Sequence, residues 1–185
     1  MIDFTFTDDQ LMFEQASKEF AETKVQPHIF EMEETNEVSQ EVVDSLGQAE
    51  MMAITIPQEY GGLDLGYVVR LIALEQIGRI SVATSMMLQI FGLGIEPIVR
   101  FGSENQKNKY LPDLAAGKKL ATIGVTEPTG GSDPKSGRTA YKKVGANYIL
   151  NGRKCFITNS HVADTFTILA KSEENSDVFS TFIIE

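Results

Sequence analysis

The spacing of apolar residues changes period once along the chain, near residue 118, and that change limits the fold more than any other feature. Before it, apolar positions recur at helical spacing and segments open with capping signals. After it, β-branched and aromatic residues alternate between turn signals. The reading is an α+β multi-domain chain: an N-terminal all-α helical bundle over residues 1–118, then a small antiparallel β-sheet or barrel over 119–185, truncated. At 185 residues and 42% hydrophobic content, the chain is long enough for a real core.

In the first part, Thr7-Asp8-Asp9-Gln10 has the form of a capping box, and Phe13, Ala16 and Phe20 follow on one helical face, with Pro27 as the limit. Ser39 caps a second helix that buries Val42, Val43 and Leu46. The segment from Ile56 to Gly66 carries one proline and three glycines and reads as an ordered loop. Val69, Ile72, Ala73, Gln76 and Ile77 restart the helical period. The uncharged stretch from Ile80 to Ile95 follows, a buried core helix shorter than the ~20 apolar residues of a membrane span. Ser103-Glu104-Asn105-Gln106 is a second capping box, and Pro112 fits the first position of another helix closing at Gly117.

In the second part, strands are expected at Leu120–Val125, Thr139–Val144, Tyr148–Leu150, Lys154–Thr158, Thr165–Ala170 and Phe179–Ile184. Asn151-Gly152 is placed as a hairpin turn. On a strand, Phe156 and Thr158 would share a face, with Cys155 on the other. The last strand runs directly into Glu185, so the chain reads as a fragment of something longer.

Charge and composition exclude several classes of function. With 16 basic against 26 acidic residues the net charge is −10, which repels nucleic acid and anionic lipid surfaces. The only cysteine is Cys155 and the only histidines are His28 and His161, so neither a disulfide nor a Cys/His metal cluster is expected. The N-terminal six residues show no targeting pattern, which with the single cysteine points to the cytoplasm.

Two segments could carry chemistry. Thr126-Glu127-Pro128-Thr129-Gly130-Gly131-Ser132-Asp133 follows a strand and combines glycines, which let backbone amides approach a phosphate or planar ring, with hydroxyl donors. It is neither a dinucleotide fingerprint nor a P-loop, and a hydroxyl-rich turn accounts for it equally well. Asn151 to Ser160 offers an aromatic and a hydroxyl two residues apart; a core aromatic beside a strand threonine explains that pattern as well.

Together, Val125-Thr126-Glu127-Pro128-x-Gly-Gly-Ser132-Asp133 and Asn151-Gly-x-Lys154-x-Phe156-Ile157-Thr158-Asn159 resemble the two flavin-contacting segments of the acyl-CoA dehydrogenase family. The loop Ile56-Pro57-x-x-Tyr60-Gly61-Gly62 and the stretch Phe101-Gly102-Ser103 through Pro112 are similar to that family's N-terminal helical domain. The resemblance implies a cofactor, FAD. The loop from Ile123 to Ser132 would lie along the isoalloxazine, with Val125 and Thr126 supplying donors at its pyrimidine end. Phe156 would sit against the ring, Ile157 would complete the cofactor-binding set, and Thr158 would hydrogen-bond near the redox-active nitrogen. Ser132 would contact the acyl-CoA thioester arm, and residues 83–93 would line part of the acyl pocket.

Phe156 stands where the family often has tryptophan, and Gly130-Gly131 where it often has alanine-glycine. The catalytic carboxylate would lie in a C-terminal helical domain that these 185 residues do not include, so no catalytic residue is assigned here; Glu127 is expected to be structural. The complete protein would desaturate an acyl-CoA thioester at Cα and Cβ by proton abstraction and hydride transfer to flavin. Electrons would pass to electron-transferring flavoprotein, and the complete protein would form a homo-oligomer. The alternatives are an acyl-CoA oxidase or flavin oxidase or monooxygenase on the same scaffold, and a non-catalytic helical interaction module.

Overall fold

A computed structural model of the chain describes residues 5–185; the first four residues, which carry most of the N-terminal segment read above for targeting, lie outside them. The capping box at Thr7 opens α1 (Asp8–Phe20): the Thr7 hydroxyl accepts the Gln10 N–H at 3.2 Å and the Gln10 side chain accepts the Thr7 N–H at 3.1 Å. The buried face of α1 differs from the expected one. Ser17 and Phe20 are buried while Ala16 faces solvent, because the α1 stripe against α4 follows positions 13, 17 and 20. Pro27 does not end the helical path. The chain widens into a π turn at Ala21–Val25, tightens into a 3₁₀ turn at Gln26–His28 that absorbs the missing proline N–H, and resumes as α2 (Ile29–Thr35).

Helix α3 (Gln40–Gln48) buries Val42, Val43 and Leu46 as expected, although the Ser39 side chain makes no capping bond. The glycine-rich loop is ordered and holds Tyr60 buried, its hydroxyl 2.7 Å from the Glu104 carboxylate. Helices α4 (Gly66–Ile80) and α5 (Val82–Phe101) then pack on each other. By length and composition, α5 with its 20 residues is apolar enough to cross a membrane; here it lies between α4 and the sheet, with Phe91, Ile95 and Ile98 at the centre of the core.

Helix α6 (Glu104–Ala115) begins at the second capping box and runs unbroken through Pro112, so no new helix starts there. The proline gives up one bond to the carbonyl four residues back, a loss the packing of Leu111 and Leu114 outweighs. Gly117, at φ +67°, turns the chain out of α6. Replacing Ser103 by alanine removes the cap of α6 and lowers stability by about 1 kcal/mol in urea denaturation.

Among the described residues the strands are β1 (Ala121–Gly124), β2 (Ala140–Val144), β3 (Asn147–Asn151), β4 (Thr165–Ser172) and β5 (Phe179–Ile184). The sheet is mixed and open rather than antiparallel or barrel-shaped. Along one edge of β4, β1 pairs in parallel with its first half and β2 with its last two residues; β5 runs antiparallel along the other edge, and β3 forms a hairpin on β2. Hairpin-like spacing misleads here because β1 and β4 are joined through a long excursion that returns in the same direction.

Two further expectations are corrected. The hairpin turn is Gly145-Ala146, with Gly145 at φ +63°, whereas Asn151 ends β3. Gly152 is needed for another reason: a side chain there would lie 2.3 Å from the Thr139 hydroxyl and 2.5 Å from its Cα. Nor is Lys154–Thr158 a strand. It is a loop in which Phe156 takes φ +56° and Asn159 φ +67°, so alternation does not apply and Phe156 and Thr158 share no strand face.

Candidate functional site

The loop leaving β1 and the loop leaving β3 run side by side in opposite directions. The Thr122 hydroxyl donates to the Thr158 carbonyl at 2.7 Å, the Cys155 N–H donates to the Thr126 carbonyl at 3.0 Å, and the Lys154 ammonium donates to the Val125 carbonyl at 3.1 Å. These bonds bring the segment containing Ile123, Val125 and Thr126 against the segment containing Phe156, Ile157 and Thr158. Gly124 makes the approach possible, since a Cβ there would meet Ile168 at 2.5 Å and Lys154 at 3.3 Å.

The carboxylate of Glu127 binds these pieces together. It accepts the N–H groups of Arg138 and Thr139, the latter at 3.0 Å, and the Lys154 ammonium at 2.8 Å, while its side chain is 3% exposed. Burial alone would raise its pKa, but the bonds from Lys154, Thr139 and Arg138 outweigh that and hold it down at about 2. Both oxygens are therefore occupied, which makes Glu127 a brace rather than a base. The Glu127–Lys154 pairing spans 27 positions and leaves no local periodic signal in the sequence.

Beyond Glu127 the chain folds back on itself, with Glu127 and Gly130 exchanging both backbone hydrogen bonds at 3.0 Å. Gly131 then lies against the Thr126 side chain, so Ser132 is exposed one residue away from it. On the other loop Phe156 is 91% exposed and Thr158 is exposed beside it. Buried Asn159 anchors this loop to the helical part by donating from Nδ2 to the Met87 carbonyl of α5 at 3.0 Å; its one sequence signal was its place at the end of the motif that carries the family resemblance.

A cavity of about 440 Å³ opens where the two parts of the chain meet, lined among others by Val38, Val43, Met86, Met87, Ile157 and Thr158. A hollow of about 310 Å³ lies beside Cys155, Phe156 and Ile157, over Phe166 and Ile168 of β4. An offered aromatic ring, hydroxyls on two facing loops and a glycine-bordered approach form a setting that fits a planar, hydrogen-bonding ring system such as a flavin.

Residues 7–118 match the acyl-CoA dehydrogenase N-terminal domain and residues 122–185 the acyl-CoA dehydrogenase middle domain. The chain belongs to the acyl-CoA dehydrogenase family, which is FAD-dependent. It is 38% identical over 187 residues to the short-chain specific acyl-CoA dehydrogenase of Clostridium acetobutylicum, covering 100% of this chain and 49% of that protein. Among solved structures, an acyl-CoA dehydrogenase complexed with FAD from Bacillus anthracis superposes with a TM-score of 0.90 at 33% identity, covering all of this chain and 32% of that one. A chain from the electron transferring flavoprotein structure of Acidaminococcus fermentans gives 0.93 at 35% identity, covering all of this chain and 49% of that one. The chain spans about half the length of the curated relatives it matches.

Proposed function

We propose that residues 1–118 and 119–185 are the helical and middle domains of an FAD-dependent enzyme that desaturates an acyl-CoA thioester between Cα and Cβ. The observation that carries this reading is the side-by-side placement of the Val125-Thr126 and Phe156–Thr158 loops, with Phe156 and Thr158 offered outward. FAD, when bound, supplies a two-electron acceptor. Of the chain's own residues, Ile123, Val125, Thr126, Phe156, Ile157 and Thr158 hold the ring: Phe156 gives it a stacking surface, and the Thr126 and Thr158 hydroxyls orient its polar edge. Ser132, exposed near Thr126, contacts the thioester arm, and residues 83–93 of α5 form one wall of the acyl pocket.

The α-proton requires a carboxylate with a free oxygen within hydrogen-bonding reach. Glu127 has none free and is not that base; the base is proposed to belong to a C-terminal helical domain of the complete protein. Electron-transferring flavoprotein is the proposed electron acceptor, a homo-oligomer the proposed assembly and the cytoplasm the proposed location.

Replacing Thr126 or Thr158 by valine in the full-length protein tests the reading. Each change removes one hydroxyl donor, worth about 1 kcal/mol net, and should weaken FAD binding roughly five- to tenfold in a flavin fluorescence titration, with secondary structure unchanged. Unaltered FAD affinity in both variants would move these loops out of the cofactor site.

A further inference from the structure

Arg70, on α4, is 7% exposed and extends to α5, where its Nη2 donates to the Gln89 main-chain carbonyl at 2.7 Å and to the Gln89 side-chain oxygen at 3.0 Å. The guanidinium lies directly on the backbone of Gly92; a Cβ there would come within 2.0 Å of Nη2 and 2.6 Å of Nη1. A glycine in mid-helix weakens the helix, so this position gives up helix stability to seat a cation.

The seat is incomplete. A guanidinium stays charged at any accessible pH, and a buried charge is costly unless paired. Among the described residues no carboxylate hydrogen-bonds Arg70. The nearest acid that acts on it electrostatically, Glu96, is engaged by the Tyr67 hydroxyl and by Arg100. Nη2 spends its two hydrogens on Gln89, which leaves the Nε and Nη1 hydrogens without an acceptor there. These nitrogens are not among the fully enclosed unpaired atoms, which in the described residues are Ser17 Oγ and Thr139 Oγ1, so they keep a small contact with solvent.

The face of α5 that carries Gln89 also carries exposed apolar side chains. Met86 and Leu93, 45% and 39% exposed, lie on the same face of α5 as Gln89, at i, i+3 and i+7. An apolar wall ending at a half-used guanidinium is complementary to an aliphatic chain that terminates in a carboxylate.

We propose that Arg70 is a specificity-determining residue that selects acyl groups carrying a terminal carboxylate, with the aliphatic segment along Met86 and Leu93 and the carboxylate on Nη1. The assignment rests on the acyl-CoA reading given above. The carboxylate would supply the acceptor and counter-charge that the fold withholds, through a charge-assisted bond.

The test uses the full-length, FAD-loaded protein and coenzyme A thioethers, which lack the thioester carbonyl and cannot be desaturated. S-(ω-carboxyalkyl)-coenzyme A compounds of about three to five methylenes are compared by titration calorimetry with uncharged S-alkyl analogues of equal length. At one of these lengths the carboxylated compound should bind on the order of 100-fold tighter, and Arg70→Met should abolish the difference while leaving the uncharged compound's affinity within about threefold. Binding of both classes with equal affinity at every length overturns the role of Arg70 and leaves the acyl-CoA reading standing. Failure of both classes to bind overturns the acyl-CoA reading as well. Should Arg70→Met fail to fold, the wild-type ratio still decides, with Arg70→Lys expected to retain part of the preference as a single point charge.

Discussion

Replacing Glu127 by glutamine is expected to destabilise the protein by about 3 kcal/mol at neutral pH. The carboxylate titrates at about 2 in the folded chain against 4.5 ordinarily, and each unit of that difference corresponds to about 1.4 kcal/mol. Glutamine retains one acceptor oxygen but leaves the Lys154 ammonium, on a side chain 11% exposed, without its counter-charge. Because the folded-state pKa is depressed, the contribution is complete above about pH 4.5 and is lost as pH falls toward 2. Urea denaturation at pH 7 and pH 3 separates the cause. Wild type and Glu127→Gln should differ by the full amount at pH 7 and by clearly less at pH 3, while a constant difference would mean that shape rather than charge is responsible. The double replacement Glu127→Leu with Lys154→Met should recover only part of the loss: it leaves no buried charge, but it takes the acceptor from the Arg138 and Thr139 N–H groups.

The loops at the candidate site should loosen together in Glu127→Gln. Glu127 joins the start of β2, through the Arg138 and Thr139 amides, to Lys154, and Lys154 holds the Val125 carbonyl. Faster amide exchange at Cys155, whose N–H bonds the Thr126 carbonyl, is the local sign of that release.

Gly94→Ala should destabilise the protein by about 2–3 kcal/mol, against the rule that alanine improves a helix over glycine by about 1 kcal/mol. Gly94 sits on the face of α5 that meets β1, and a Cβ there would come within 2.7 Å of the Thr122 nitrogen and 2.9 Å of the Ala121 carbonyl carbon. Both obstacles are backbone, so no rotamer change relieves them. The Gly94 carbonyl also accepts from the buried Thr167 hydroxyl at 3.1 Å, tying the helix to β4 across the same contact. Forcing α5 away from β1 moves Thr122, whose hydroxyl holds the Thr158 loop, so FAD affinity should fall with stability. A variant as stable as wild type in urea denaturation would mean that the helix and the sheet are free to separate at this point.

Local signals account for the parts of the fold that the residue order announced. Both capping boxes open helices where Thr7 and Ser103 stand, because their hydrogen bonds close within three residues. The glycine-rich loop, the α3 face and the positions of β1, β2, β3, β4 and β5 were legible for the same reason: periodicity and turn chemistry are short-range. Errors gathered where a distant neighbour overrides that preference. Lys154–Thr158 has strand composition, yet its backbone is committed to Thr122 and Thr126 rather than to a ladder, and the Asn159 side chain that follows it holds Met87 of α5. Ala16 lost its expected place to Ser17 because α4, and not the helix itself, selects the buried stripe.

Sequence alone established the helical and strand-rich parts, since these depend on residue type and on spacings of a few positions, and it carried the family resemblance that makes Ile123, Val125, Thr126, Ser132, Phe156, Ile157 and Thr158 candidates. Tertiary structure alone decided strand direction and the open sheet, the Glu127–Lys154 brace, the seat of Arg70 on Gly92 and the outward turn of Phe156. Each of these depends on groups 22 or more positions apart or on a backbone conformation those groups impose, and such pairings form only when desolvation and packing of the whole chain make them more favourable than contact with water.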